Sequence, residues 1–195
     1  EGVRPGLFNF NTSGQPGGHA DFDNFTVDEP RASGIERTIP LGKTITLSSG
    51  ADGSFLAVDA QGATLVTLGA KGSNAAPENA RFRVVDLGKG RVALQAGNGR
   101  FVSAGSEGVA LKDLAGRAPG IAESFQWVNL MRGDTMVMSL TNHRYLATTP
   151  GVPGPVTVSA TGPRPDRQDG ACFKWDDGTR AARSSESLRN VPTCR

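Results

Sequence analysis

The sequence predicts an all-β chain whose main body is a β-trefoil, and three observations carry that prediction. One phrase occurs three times: RFRVVDL from Arg81, SFQWVNL from Ser124 and CFKWDDG from Cys172. A second phrase precedes each of them: GSFLAVD from Gly53, GRFVSAG from Gly99 and HRYLATT from His143. Its aromatic steps from Phe55 to Phe101 to Tyr145, at intervals of 46 and 44, while the phenylalanine of the first phrase steps from Phe82 to Phe125 to Phe173, at 43 and 48. Units recurring at such a period cannot bury their apolar faces alone and do so against one another. The third observation is composition: 26 Gly and 12 Pro in 195 residues break the apolar runs into short pieces, as strands require and helices do not.

Residues 1–30 stand outside the repeat. GLFNFN and HADFDNFTVD alternate apolar and polar positions on either side of TSGQPGG, which reads as a β-hairpin. Asp21 and Asp23 share one strand face, as a cation site or an acid/base pair would want, but solvated edge carboxylates are the simpler reading. A lone hairpin is marginal in water, so Phe8, Phe10, Phe22 and Phe25 are expected to need another surface. Residues 31–40, polar and bounded by proline, read as a linker.

From residue 41 to 178 each unit reads as four short strands. They are expected at 44–48, 55–59, 63–67 and 82–86; at 92–96, 101–104, 109–112 and 125–129; and at 136–140, 145–148, 156–159 and 173–176. Twelve such strands bury their repeats in a six-stranded barrel closed by three hairpins, which leaves no long sheet edge exposed. Pro150, Pro153 and Pro155 crowd the third unit, and Glu123 has no counterpart before Phe173. The third unit is therefore where departures from the common geometry are expected.

Residues 179–195 form a tail carrying Cys194, the second of two cysteines. Cys172 and Cys194 are either two thiols or a disulfide that pins the tail to the third unit. With no CxxC or histidine-rich cluster nearby, the disulfide is preferred. Closing a loop of that length is worth about 3 kcal/mol in the chain-entropy picture, and it implies an exported protein.

Charge excludes some classes of function. The balance of 21 basic and 19 acidic side chains is close to even and scattered, so nucleic acid is not expected as a partner. No apolar run approaches membrane-spanning length, so no membrane partner is expected either. Of the two histidines, His19 lies in the hairpin and His143 in a turn, and neither has the neighbours of a nucleophile elbow. GAKGSN from Gly69 lacks the following Lys-Ser/Thr of a phosphate loop. The chain alone is read as non-catalytic and without a cofactor.

What remains is sugar binding, for which an aromatic face flanked by amide, carboxylate or imidazole groups is suited. Trp127 and Trp175 share their repeat position with Val84, which points to core, and the same argument reaches Phe55, Phe101 and Tyr145. Tyr145 is the least committed aromatic because its hydroxyl wants a partner. Asn142, His143 and Tyr145 in the third unit are the leading candidates, with Asn98 and Arg100 in the second and Asp59 in the first. Three weak pockets would reinforce one another on a polymer.

Two resemblances extend this reading. LFNFNTSGQPGGHADFDNFTV, residues 7–27, resembles the closing strands of the β-sandwich that follows the catalytic propeller in family 43 glycoside hydrolases. That resemblance implies a piece of a larger secreted arabinofuranosidase- or xylosidase-like enzyme of polysaccharide degradation, whose catalytic domain would be a partner within the same parent chain. VALQAGNGRFVSAGSEGVALKD followed by ESFQWVNL, within residues 92–130, resembles a fascin-type trefoil repeat. The Gln-x-Trp motif of ricin-type trefoils is not in register, because Gln126 lies directly before Trp127. The resulting expectation is a carbohydrate-binding module for plant polysaccharide or its oligosaccharides. The alternatives are a trefoil that only packs against and stabilises its enzyme, or a fascin-like protein-binding module.

Overall fold

The computed structural model describes residues 39–69, 76–105, 108–130, 133–164, 166 and 168–178. The hairpin expected in residues 1–30, nearly all of the linker, and the tail with Cys194 lie outside the described residues.

Among the described residues, twelve strands follow the repeat. The first unit holds β1 (Thr44–Ser49), β2 (Phe55–Val58), β3 (Leu65–Leu68) and β4 (Arg81–Gly88). The second holds β5 (Arg91–Ala96), β6 (Phe101–Gly105), β7 (Gly108–Lys112) and β8 (Phe125–Asn129). The third holds β9 (Thr135–Ser139), β10 (Tyr145–Ala147), β11 (Thr157–Ala160) and β12 (Phe173–Asp176). Each expected strand is present, with bounds shifted by at most two residues.

The pairing closes a ring. β1 pairs β4, β4 pairs β5, β5 pairs β8, β8 pairs β9, β9 pairs β12, and β12 returns to β1, all antiparallel. The hairpins β2–β3, β6–β7 and β10–β11 hang from β1, β5 and β9. Bridges Thr64↔Ala110 and Val66↔Pro155 tie them to one another. A six-stranded barrel with three hairpins across one end is a β-trefoil, as the repeat predicted.

Strand alternation explains the core. Along β4 the side chains of Phe82 and Val84 are buried while Arg81 and Arg83 are exposed, and along β8 Phe125 and Trp127 are buried with Gln126 between them half-buried. Phe82, Phe125 and Phe173 are at most 1% exposed, each contributing about 1.5–3 kcal/mol by burial. They meet Leu56, Val102 and Leu146 of the hairpins in one cluster.

Two expectations about aromatics need correction. Trp175 is half-buried rather than core, packed against the main cluster. β12 meets β9 at Phe173↔Thr135 and pairs with β1 from Phe173 to Asp176, with Trp175 opposite Leu47. Phe55, Phe101 and Tyr145 are likewise half-buried, because each opens its hairpin next to an exposed turn.

The proline-rich loop of the third unit does depart from the others. Pro155 has no N–H, so the pairing beside β3 is made by its neighbours. Thr67 N–H donates to the Gly154 carbonyl at 2.8 Å, and Val156 N–H donates to the Leu65 carbonyl at 2.9 Å.

Candidate functional site

The three turns that lead into the aromatics share one construction. Asp52, Asn98 and Asn142 each accept, through Oδ1, the backbone N–H two residues on: Ser54, Arg100 and Arg144, at 3.0, 3.1 and 3.1 Å. This is the Asx turn, and it explains why those residue types stand there. In the first and third units the turn is one residue longer than in the second. There Ser49 and Ser139, both buried, accept the N–H of Ala51 and Thr141 through their hydroxyls. Ala96 occupies the equivalent position in the shorter turn.

The middle residue of each turn is left-handed. It is Gly53 at φ +75, Gly99 at φ +82, and His143 at φ +55. A histidine where the repeat otherwise uses glycine holds a conformation that costs an L-residue about 1 kcal/mol. The adjacent hairpin is irregular as well. β2–β3 and β6–β7 pair without interruption from Phe55 and Phe101, but β10–β11 shifts register between Tyr145 and Leu146, leaving Ser159 as an extra residue. Bulges of this kind re-aim neighbouring side chains and concentrate near functional sites. Strain and bulge therefore coincide at His143 and Tyr145.

The six predicted site residues fall into two groups. Asp59, Asn98 and Arg100 converge on the hairpin turn of residues 59–64. Asp59 Oδ1 accepts Ala63 N–H at 2.7 Å and Thr64 N–H at 3.2 Å, and Oδ2 accepts the Thr64 hydroxyl at 2.9 Å. The Ala63 and Thr64 amides lower its pKa against an opposing desolvation, with the Thr64 hydroxyl and Gly62 amide adding to the lowering. Arg100 Nη1 donates to the Gly62 carbonyl at 2.8 Å, and Asn98 Nδ2 reaches the same oxygen at 3.5 Å. This group is a clamp between the first and second units.

Asn142, His143 and Tyr145 form the second group. Asn142 is also committed, its Nδ2 donating to the Val158 carbonyl at 3.2 Å. His143 is exposed, and Tyr145 is half-buried against Met136, Ala147, Ala171 and Cys172. No hydrogen bond among the described residues engages the His143 ring or the Tyr145 hydroxyl. These two side chains are the ones left available to a ligand.

Sequence reasoning did not single out Gly62 or Gly151, whose backbones receive the clamps. Asp52 Oδ2 accepts Gly151 N–H at 2.7 Å, tying the first unit's turn to the third unit's proline loop. A backbone partner across a gap of 99 residues leaves no signal in residue type. The strain at His143 did have one, in the alignment of Gly53, Gly99 and His143.

Among the described residues no group of three histidine, cysteine, aspartate or glutamate side chains is placed to hold a metal ion. No helix among them is long and apolar enough to cross a membrane.

No protein-family model matches the chain, and no curated protein matches it. Solved structures do. The designed threefold-symmetric protein ThreeFoil superposes with TM-score 0.54 at 18% identity, over 69% of this chain and 98% of its own. The cytolethal distending toxin of Haemophilus ducreyi gives 0.58 at 15%, over 69% and 83%. SeviL bound to asialo-GM1 saccharide gives 0.55 at 8%, over 70% and 98%. At these identities the likeness establishes the fold, and the chain carries a β-trefoil domain.

Proposed function

We propose that this chain is a non-catalytic carbohydrate-binding module, with its leading site at His143 and Tyr145 of the third unit. One observation carries the reading: of the three turns that lead into the aromatics, the third is the one with a left-handed residue other than glycine, and the register of its hairpin shifts beside it. An irregularity that costs stability is retained where a side chain must be presented. The phenol ring of Tyr145 supplies an apolar face with a polar tip, and the imidazole of His143 supplies a hydrogen-bonding group. The saccharide-bound structure of SeviL supports the reading, as a protein of this fold that holds a sugar.

The wider setting rests on the sequence resemblance of residues 7–27. The module would be secreted as part of a glycoside hydrolase acting on plant polysaccharide, where it raises the local substrate concentration for the catalytic domain. A Cys172–Cys194 disulfide belongs to the same proposal. Thiol counting on the unreduced, unfolded chain is expected to find none, and two would remove that argument for export.

The purely structural reading is favoured by the committed side chains of Asp59, Asn98, Arg100 and Asn142. Affinity electrophoresis against arabinoxylan, arabinan, galactan and β-glucans separates the two. Retardation by one polymer that is lost in Tyr145→Ala and weakened in His143→Gly establishes the module. Unaltered mobility on all of them favours the structural reading.

A further inference from the structure

Building on the carbohydrate-binding reading above, we propose that the third-unit turn is a subsite for a carboxylated sugar, with Arg144 as its specificity-determining residue. The three equivalent turns carry Ser54, Arg100 and Arg144 after their left-handed residue, and the first two are spoken for. The Ser54 hydroxyl donates to Asp52 Oδ1 at 2.7 Å, and the Arg100 guanidinium is held on the Gly62 carbonyl at 2.8 Å. Arg144 is exposed. Its backbone N–H donates to Asn142 and its carbonyl accepts from Ser139 N–H, but no carbonyl or carboxylate among the described residues engages its guanidinium.

The difference has a cause in the neighbouring hairpins. Arg100 finds Gly62 because the first unit's hairpin turn spans residues 59–64 and is propped up by Asp59. In the second unit's hairpin β6 ends at Gly105 and β7 begins at Gly108, and none of its described residues offers Arg144 an acceptor. Arg144 keeps its planar fork of donors, whose complementary ligand is a carboxylate held by two parallel hydrogen bonds. In the chain it lies between the exposed His143 and the half-buried Tyr145. The other side chains of this turn, Thr141 and Asn142, are neutral. The equivalent turn of the first unit carries Asp52 instead, whose charge repels the same ligand.

The test uses the full chain with a glucuronic-acid-substituted xylan and the same xylan after carboxyl reduction, at one ionic strength. The acidic polymer is expected to bind about tenfold more tightly, the effect of one charge-assisted pair. Arg144→Gln should abolish that preference while leaving affinity for the reduced polymer unchanged, and Arg144→Lys should restore part of it. Lys174→Gln, which removes an exposed charge on β12, should preserve the preference. Equal affinity for the two polymers, a preference that survives Arg144→Gln, or one lost equally with Lys174→Gln overturns the subsite and leaves the carbohydrate reading standing. No affinity for either polymer overturns both.

Discussion

The Ser103 hydroxyl donates to Glu123 Oε1 at 2.8 Å, inside the second unit and at positions where the other two units carry alanine. Ala57 and Ala147 stand in for Ser103 in the repeat, and Ala80 and Ala171 stand in for Glu123. All six are buried. Glu123 Oε2 also accepts Gly120 N–H at 2.9 Å, so the carboxylate joins β6 to the short 3-10 turn Ile121–Glu123 that precedes β8.

That relationship predicts a specific pattern of stabilities. Glu123→Ala alone leaves the Ser103 hydroxyl and Gly120 amide without their acceptor and should cost about 1–3 kcal/mol. Ser103→Ala combined with Glu123→Ala recreates the pair used by the other units, so the double variant should be less destabilised than the sum of the singles. Urea unfolding of the four proteins measures the coupling, and strict additivity would show that the pair acts independently.

Gly170 predicts the opposite kind of site. At φ +66, a Cβ there would lie 1.8 Å from the Thr148 carbonyl oxygen, which is backbone and cannot step aside. Gly170 in turn accepts Thr148 N–H at 3.1 Å, fixing the end of β10. Gly170→Ala should therefore cost more than about 2 kcal/mol, read as a lowered unfolding midpoint. Gly42→Ala, also left-handed but in open space, should cost less.

Asp52 predicts an acid response. Burial acts to raise its pKa, but the Gly151 and Ser54 amides together with the Ser54 and Ser49 hydroxyls outweigh it and bring the pKa from 3.8 down to about 2. A folded pKa below the unfolded one contributes stability that is full above about pH 4 and lost as pH falls through about 2. Asp59, also lowered, acts in the same direction. The melting temperature of Asp52→Asn should fall less steeply between pH 4 and 2 than that of the parent. Parallel curves would count against the Gly151 clip.

His143→Gly separates stability from binding. Glycine relieves the left-handed strain at that turn but adds freedom to the unfolded chain, so the net change should lie within about 1 kcal/mol of zero. Calorimetry should find the variant folded while polysaccharide retardation weakens. A loss of several kcal/mol would mean that the imidazole is a structural part of the turn.

The barrel was legible because its markers repeat. Phe82, Phe125 and Phe173 recur with alternating neighbours, and alternation maps directly onto burial, so strands such as Phe125–Asn129 were placed to the residue. The site was legible only in part. Asn98 and Arg100 have the residue types of a sugar site, yet their side chains end on the Gly62 carbonyl, an acceptor that every residue possesses and no sequence position advertises. Trp175 is half-buried although it shares its repeat slot with the buried Val84 and Trp127, so the slot alone does not fix burial.

The ring closes where β12 lies along β1, with Thr46 opposite Asp176 and Lys43 bonded to Asp177 at 2.7 Å. The polypeptide therefore enters and leaves the trefoil at one point, side by side. Such a body can be spliced into a surface loop of another protein, or cut open at a hairpin and rejoined at this seam, without stretching either host or guest. The β1–β12 ladder fastens that seam, and a fold fastened in that way is portable.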